Sequence, residues 1–352
     1  MSNQSILNIL KKVTYPGFSR DLVSFGLVQS AELSDEKAKV VLELTSSDPT
    51  LPKLIQDDVK RALLESALIK EAEVVVRVKN TATKEANPTK TESQNLSGVK
   101  RIIAVASGKG GVGKSTLSVN LACALARMKG SDGELLKIGL MDCDLYGPSV
   151  PLLIGASQRP ELLGENIIAP VESYGVKVIS MGLLIDDESP VVWRGPMIMK
   201  TIQQFAHNVT WGELDYLLID LPPGTGDAQL SLAQILPLDG ALIVTTPQKA
   251  AFDIARRGAR MFEKVNVPIL GLIENMSYLS SPGSGERNYL FGKGGGAITA
   301  QSLQCPFIGE IPLHQEVRLG GDHGTPVVVA NPENEASLAI LEIAEKTTQL
   351  VN

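Results

Sequence analysis

Cysteine is scarce: Cys123, Cys143 and Cys305 are all that the 352 residues contain. They stand far apart and form no CxxC pair, which excludes a disulfide framework and a zinc site built on neighbouring thiols. Long apolar runs are missing too. No segment approaches the roughly 18 uninterrupted apolar residues of a membrane span, and the start, MSNQSILNILKKVTYPGF, lacks the basic, then apolar, then small-residue order of a secretory signal. The expected compartment is the cytoplasm, with no membrane partner. Positive charge is not in excess: 33 Lys and Arg face 39 Asp and Glu, a net charge of -6. No overall field draws such a chain to nucleic acid or anionic lipid.

What is present is ordinary globular usage, 43% apolar and 20% charged, in a length that predicts about two domains. Residues 81–98, TATKEANPTKTESQNLSG, carry almost no large apolar side chain and read as a solvated linker between 1–80 and 99–352. The first part offers an amphipathic start with Ile6, Leu7, Ile9 and Leu10, a strand-like run at Val40 to Leu44, a helix from Pro52, and a β-rich run at Val74 to Val78. That pattern predicts a small α+β module. Beyond the linker, apolar runs recur at 102–106, 138–141, 176–180, 217–221, 241–245, 269–273 and 307–311, with helix-like stretches between most of them. Runs without polar alternation suit strands buried on both faces. The fold class is therefore α/β, a mostly parallel sheet covered by helices on both faces, whose ligands gather at the carboxyl ends of the strands.

Directly after the first of these strands stands Gly108-Lys109-Gly110-Gly111-Val112-Gly113-Lys114-Ser115, a full GxxxxGK[ST] match. Thr116 to Met128 continues as a helix with Leu117, Leu121 and Leu125 on one stripe. The glycine loop thus ends at a helix N-terminus, where free N–H groups and the helix dipole favour phosphate. Glycines let the backbone wrap around the phosphates, Lys114 offers a cation to the β- and γ-phosphates, and the Ser115 hydroxyl is placed for Mg²⁺. Thr116 can reach the α-phosphate. These residues predict a P-loop NTPase that takes a nucleotide with Mg²⁺.

Hydrolysis needs carboxylates near the metal. An apolar strand ends in Asp220, within Leu217-Leu218-Ile219-Asp220-Leu221-Pro222-Pro223-Gly224, and reads as the metal-side Asp of such an enzyme. The Pro-Pro-Gly-Thr-Gly turn after it can bring the Gly224 N–H to the γ-phosphate. Asp142 and Asp144 follow another strand, and alternate side chains of extended backbone face the same way. One can hold a metal-bound water while the other orients the attacking water. Cys143 faces away and reads as packing.

The lysine variant Lys109 in Lys-Gly-Gly-Val-Gly-Lys-Ser-Thr resembles that of the deviant-Walker ATPases, and the chain resembles their Mrp branch, the ATP-dependent iron–sulfur cluster carriers. Further motifs carry the resemblance: Asp142-Cys143-Asp144-Leu145-Tyr146-Gly147-Pro148-Ser149, Trp193-Arg194-Gly195-Pro196-Met197, Asp220 to Asp227, Glu274-Asn275-Met276-Ser277-Tyr278, and Gly309-Glu310-Ile311-Pro312-Leu313. The N-terminal module, with Tyr15-Pro16-Gly17 and Leu22 to Val28, resembles the small domain that many Mrp proteins carry. The resemblance implies a homodimer with two ATPs near its interface, Lys109 reaching to the partner's nucleotide, and iron–sulfur apoproteins or assembly factors as partners. It implies Asp144 near the attacking water, Asp142 and Asp220 supporting Mg²⁺, and Asn275 with the Thr246-Pro247-Gln248 turn near adenine. It also suggests that the Trp193 segment moves with nucleotide state.

One departure stands out. Cluster-carrying relatives usually have a CxxC pair before a Phe-Gly-x-Gly-Gly segment, here Phe291 to Gly295, and Ser281 and Ser284 occupy those places. A neutral hydroxyl is a poor ligand for iron beside a thiolate. Leu51 likewise stands before Pro52 where some relatives have a cysteine. Cys305 could supply one thiolate per subunit but reads as structural, as does Cys123; His207, His314 and His323 show no ligand spacing. Two functions follow: an ATPase that carries clusters to apoproteins, or an ATP-gated scaffold of the same fold that has lost direct cluster binding.

Overall fold

The computed structural model describes residues 4–10, 13, 22–23, 27–34, 37–44, 51–66, 69, 71–78, 96–144, 147–163, 167–184, 195–281 and 283–351. The motif residues Tyr15 to Gly17, Leu145, Tyr146, Trp193 and Arg194, and most of the linker, lie outside them. The chain divides into two compact units, Met1–Thr91 and Glu92–Asn352.

The smaller unit runs α1 (Gln4–Leu10), β1 (Val28–Ser34), β2 (Lys37–Leu44), α2 (Leu51–Leu64), β3 (Glu71–Val78). Its sheet has the order β1-β2-β3, with β1 antiparallel to β2 and β2 parallel to β3. A parallel pair needs a crossover, and α2 supplies it. Alternate residues Ala38, Val40 and Leu42 of β2 meet Ile55, Val59 and Leu63 of α2, spaced one helical turn apart, and Ile6 and Leu10 of α1 close the core. Strand β1 escapes the sequence reading because VQSAELS has too little apolar content to stand out.

The larger unit begins with β4 (Val99–Ser107), α3 (Lys114–Leu125), β5 (Ile138–Asp142), α4 (Val150–Leu153), β6 (Val171–Ser173), β7 (Val176–Ile179), α5 (Gly195–Asn208) and β8 (Leu214–Asp220). It continues with α6 (Asp227–Ile235), β9 (Gly240–Thr245), α7 (Lys249–Lys264), β10 (Ile269–Glu274), β11 (Leu279–Ser280), β12 (Arg287–Asn288), α8 (Gly295–Ser302), β13 (Phe307–Glu310), α9 (Gln315–His323), α10 (Val327–Ala330) and α11 (Glu335–Val351). Among the described residues, eight strands form one sheet in the order β13-β10-β9-β4-β8-β5-β7-β6. All its pairs are parallel except β6 with β7.

Both faces of that sheet are covered, and β4 shows how. Ile103 and Val105 point into a core shared with α3 and α11, while Ile102, Ala104 and Ala106 point into the opposite core with α5 and α7. Helix α3 is buried almost all round, from Leu117 to Leu125, as a helix wedged between a sheet and other helices must be. Every apolar run read from the sequence in this unit is a strand. The antiparallel edge strand β6 and the β11–β12 hairpin are additional, both too short to show a period.

Candidate nucleotide site

The loop from Gly108 to Gly113 leaves the carboxyl end of β4, at the centre of the sheet, and feeds α3. Helix α3 starts at Lys114 rather than Thr116, so the lysine and Ser115 belong to its first turn. Gly113 is the N-cap at φ 78, in the left-handed region, and a Cβ there would run into Asn275 Nδ2. Only glycine meets both demands. With no side-chain cap, the first N–H groups of α3 face the loop. A cavity of about 210 Å³ opens there, lined among others by Gly110, Gly111, Lys114, Ser115, Thr116 and Asp144.

Asp220 ends β8 fully buried and is multiply bonded. Lys114 Nζ lies 2.7 Å from Oδ1, Ser115 Oγ donates to Oδ2 at 2.7 Å, and Ser118 Oγ donates to Oδ1 at 2.6 Å. A buried carboxylate persists only when paired and bonded in this way. The strand register sets Asp142 beside Asp220. Asp142 accepts the Ser180 hydroxyl at 2.8 Å and the Asp144 N–H at 3.0 Å. Burial first, then the negative charge of Asp220, pushes its carboxyl up to about 7. A nearby cation would reverse that push. The Ser115 hydroxyl and the two carboxylates are hard oxygen donors, the set that suits Mg²⁺.

The remaining predicted residues separate into two groups. Asp144 lines the cavity with the loop. Asn275, just past β10, bonds the loop itself: its Nδ2 donates to the Val112 carbonyl at 2.8 Å while its Oδ1 accepts the Met276 N–H at 2.9 Å. It also lines a second cavity of about 300 Å³, which shares Gly113 and Thr116 with the first and is walled by apolar side chains such as Leu153, Met276, Pro312 and Leu313. The Thr246-Pro247-Gln248 turn, grouped with Asn275 by resemblance, is not part of that wall. Gln248 instead meets Lys109, whose Nζ donates to Oε1 at 2.9 Å. The Gly224 N–H, expected at the γ-phosphate, donates to the Ser107 carbonyl at 3.0 Å in this conformation.

Sequence reading missed Ser118, Ser180 and the bond between Gln248 and Lys109; Gln248 itself was expected near adenine. Ser118 stands one helical turn after Lys114, a signal that was available; the other two contacts arise only from tertiary structure.

Cysteines do not gather. Cys123 and Cys143 are buried, and burial pushes the Cys123 thiol up to about 12 and that of Cys143 well above its usual value. Cys305 is half-buried and its thiol is also raised by burial. Among the described residues, no group of three His, Cys, Asp or Glu side chains could hold a metal ion. Ser281 and Ser284 lie at the turn of the β11–β12 hairpin, where Ser284 Oγ accepts the Glu286 N–H. The residues present do not fit a thiolate-bound cluster.

A family model described as NUBPL iron-transfer P-loop NTPase matches residues 98–348, and one described as iron-sulfur cluster assembly protein matches residues 3–76. The iron-sulfur cluster carrier protein of Synechocystis sp. is 40% identical over 351 residues, covering 98% of this chain and 97% of that protein. The mitochondrial iron-sulfur protein required for NADH dehydrogenase of Arabidopsis thaliana is 50% identical over 260 residues, covering 74% of this chain and 82% of that protein. Among solved structures, the nucleotide-binding protein in complex with ADP from Archaeoglobus fulgidus is 38% identical, with a TM-score of 0.59 over 69% of this chain and 92% of that one. The motif series from Gly108 to Leu313 and the sheet built on β4 point the same way. The chain belongs to the family of NUBPL iron-transfer P-loop NTPases, with an iron–sulfur cluster assembly module at its N-terminus.

Proposed function

We propose that this chain is a Mg²⁺-dependent ATPase that closes as a homodimer and drives the transfer of iron–sulfur clusters to apoproteins in the cytoplasm. The observation that carries the ATPase part is the buried Lys114–Asp220 pair beneath the phosphate cavity, with Ser115 bonded to the same carboxylate. Lys114 is then a cation that exchanges Asp220 for phosphate. Ser115, together with Asp220 and Asp142, would hold Mg²⁺, whose chemistry there would be to supply positive charge to the phosphates. Asp144 orients the attacking water. The loop N–H groups cradle the phosphates, and Gly224 exchanges its bond to Ser107 for the γ-phosphate. The apolar cavity beside Asn275 takes the base.

The cluster is cargo, and the names of the relatives support that cargo. A second reading has its own observation: Ser281 and Ser284 stand at the hairpin where thiolates are expected, and no cysteine cluster replaces them among the described residues. In that reading ATP gates a protein-binding surface, and the N-terminal module captures the partner without a cluster being held. Anaerobic reconstitution with iron and sulfide, followed by desalting and iron, sulfide and absorption measurements with and without Mg-ATP, separates the two. A stoichiometric, transferable cluster establishes the carrier. ATP turnover without a cluster favours the switch.

A further inference from the structure

The bond between Lys109 and Gln248 is not part of the nucleotide scheme above. Lys109 Nζ donates to Gln248 Oε1 at 2.9 Å within one chain. The same oxygen accepts the Thr246 hydroxyl at 3.3 Å. Two donors converge on it, which fixes the amide with its oxygen, not its nitrogen, toward the lysine. The root of Lys109 is held as well, because its carbonyl accepts the Ser107 hydroxyl at 3.0 Å.

The turn that presents Gln248 is anchored independently. Gly295, the first residue of α8, approaches the Pro247 carbonyl so closely that a Cβ would overlap it. Thr246 is buried. Gln248 is therefore a fixed post rather than a surface side chain that happens to touch a lysine. Its chemistry suits a post that must let go: a neutral amide holds an ammonium, but a phosphate, carrying full negative charge, holds it more strongly.

From this geometry we infer that Gln248 is a positioning residue, a latch that keeps Lys109 in its own subunit until a nucleotide phosphate on a second copy of the chain takes it over. The inference rests on the proposed homodimer and on the place at the partner's nucleotide that the resemblance implies for Lys109. It gives the amide a defined purpose: a carboxylate at this position would compete with the phosphate, and an apolar residue would leave the lysine unrestrained before assembly.

The test uses the full chain as wild type, Gln248→Ala, Gln248→Glu and Lys109→Ala. One readout is the labelling of Lys109 by trace acetic anhydride without nucleotide, followed by mass spectrometry. The other is the protein concentration at half-assembly in Mg-ATP, by sedimentation velocity. Loss of the latch in Gln248→Ala raises Lys109 labelling and lowers the half-assembly concentration, each by roughly tenfold, the size of a lost charge-assisted bond. Gln248→Glu shifts both in the opposite direction. A turn-support role would move the two variants the same way, and that result, or unchanged labelling in both, overturns the latch. If Lys109→Ala assembles and turns over ATP like wild type, the dimer role of Lys109 fails instead.

Discussion

Lys114 and Asp220 form a buried ion pair, Nζ to Oδ1 at 2.7 Å, with side-chain exposures of 5% and 0%. The lysine of the phosphate loop is thus bound to the strand that ends beneath it. Under the proposed function this pairing gives Lys114 two separable jobs, holding the carboxylate and meeting phosphate. Lys114→Ala removes both. ATP turnover falls to background in a phosphate-release assay, and the protein without nucleotide loses roughly 3 kcal/mol of stability in denaturant unfolding, as expected when a buried carboxylate is left without its cation. Unchanged turnover would remove Lys114 from the site.

Asp142 gives a pH dependence with a definite sign. Its carboxyl is raised from 3.8 to about 7 in the folded chain, so the folded state binds its proton more tightly than the unfolded one. The group does not oppose folding below pH 3.8; above that the unfolded chain ionises first, and stability falls until about pH 7. The loss is on the order of 4 kcal/mol. Melting of the protein without nucleotide across this range measures the fall. Asp142→Asn flattens it, because an amide can still bond Ser180 and the Asp144 N–H but does not titrate. A slope identical to wild type in Asp142→Asn would assign the effect elsewhere.

Gly113→Ala places a methyl against Asn275 Nδ2 at a left-handed φ of 78. The clash and the backbone strain act together at the hinge between loop and α3. ADP affinity, read by calorimetric titration, drops at least about tenfold, the consequence of ~1.4 kcal/mol. Asn275→Ala loosens the same loop by removing the bond to Val112. It weakens ADP by roughly fivefold, about the value of one hydrogen bond.

Ser281→Cys with Ser284→Cys restores a CxxC spacing on the β11–β12 hairpin. After anaerobic reconstitution this variant holds more iron and acid-labile sulfide per chain than wild type, with visible absorption to match. Equal iron in both proteins would mean that the hairpin is not a ligand platform in this chain.

The phosphate side of the site was legible in the sequence because its parts are local. A glycine loop between an apolar strand and an apolar helix has few other uses, and Asp142 and Asp220 each close a run of buried residues. Their register against one another was not legible, since it depends on β8 inserting between β4 and β5 in the sheet. The same holds for Ser180 beside Asp142, and for Gln248, which is 139 residues from Lys109. Strand β6 pairs antiparallel at the sheet edge over Val171–Ser173 only, too short for alternation to register. Resemblance placed the 246–248 turn beside the base. In the structure Gln248 of that turn bonds the loop lysine, and Pro247 lies close against Gly295.

The strands of the β11–β12 hairpin pair with each other and with no strand of the large sheet among the described residues. Such a hairpin behaves as a cassette. Residues at its turn can be exchanged without disturbing the strand ends that carry Asp142 and Asp220, so under the proposed function the cargo face and the nucleotide machinery are free to change separately within one chain.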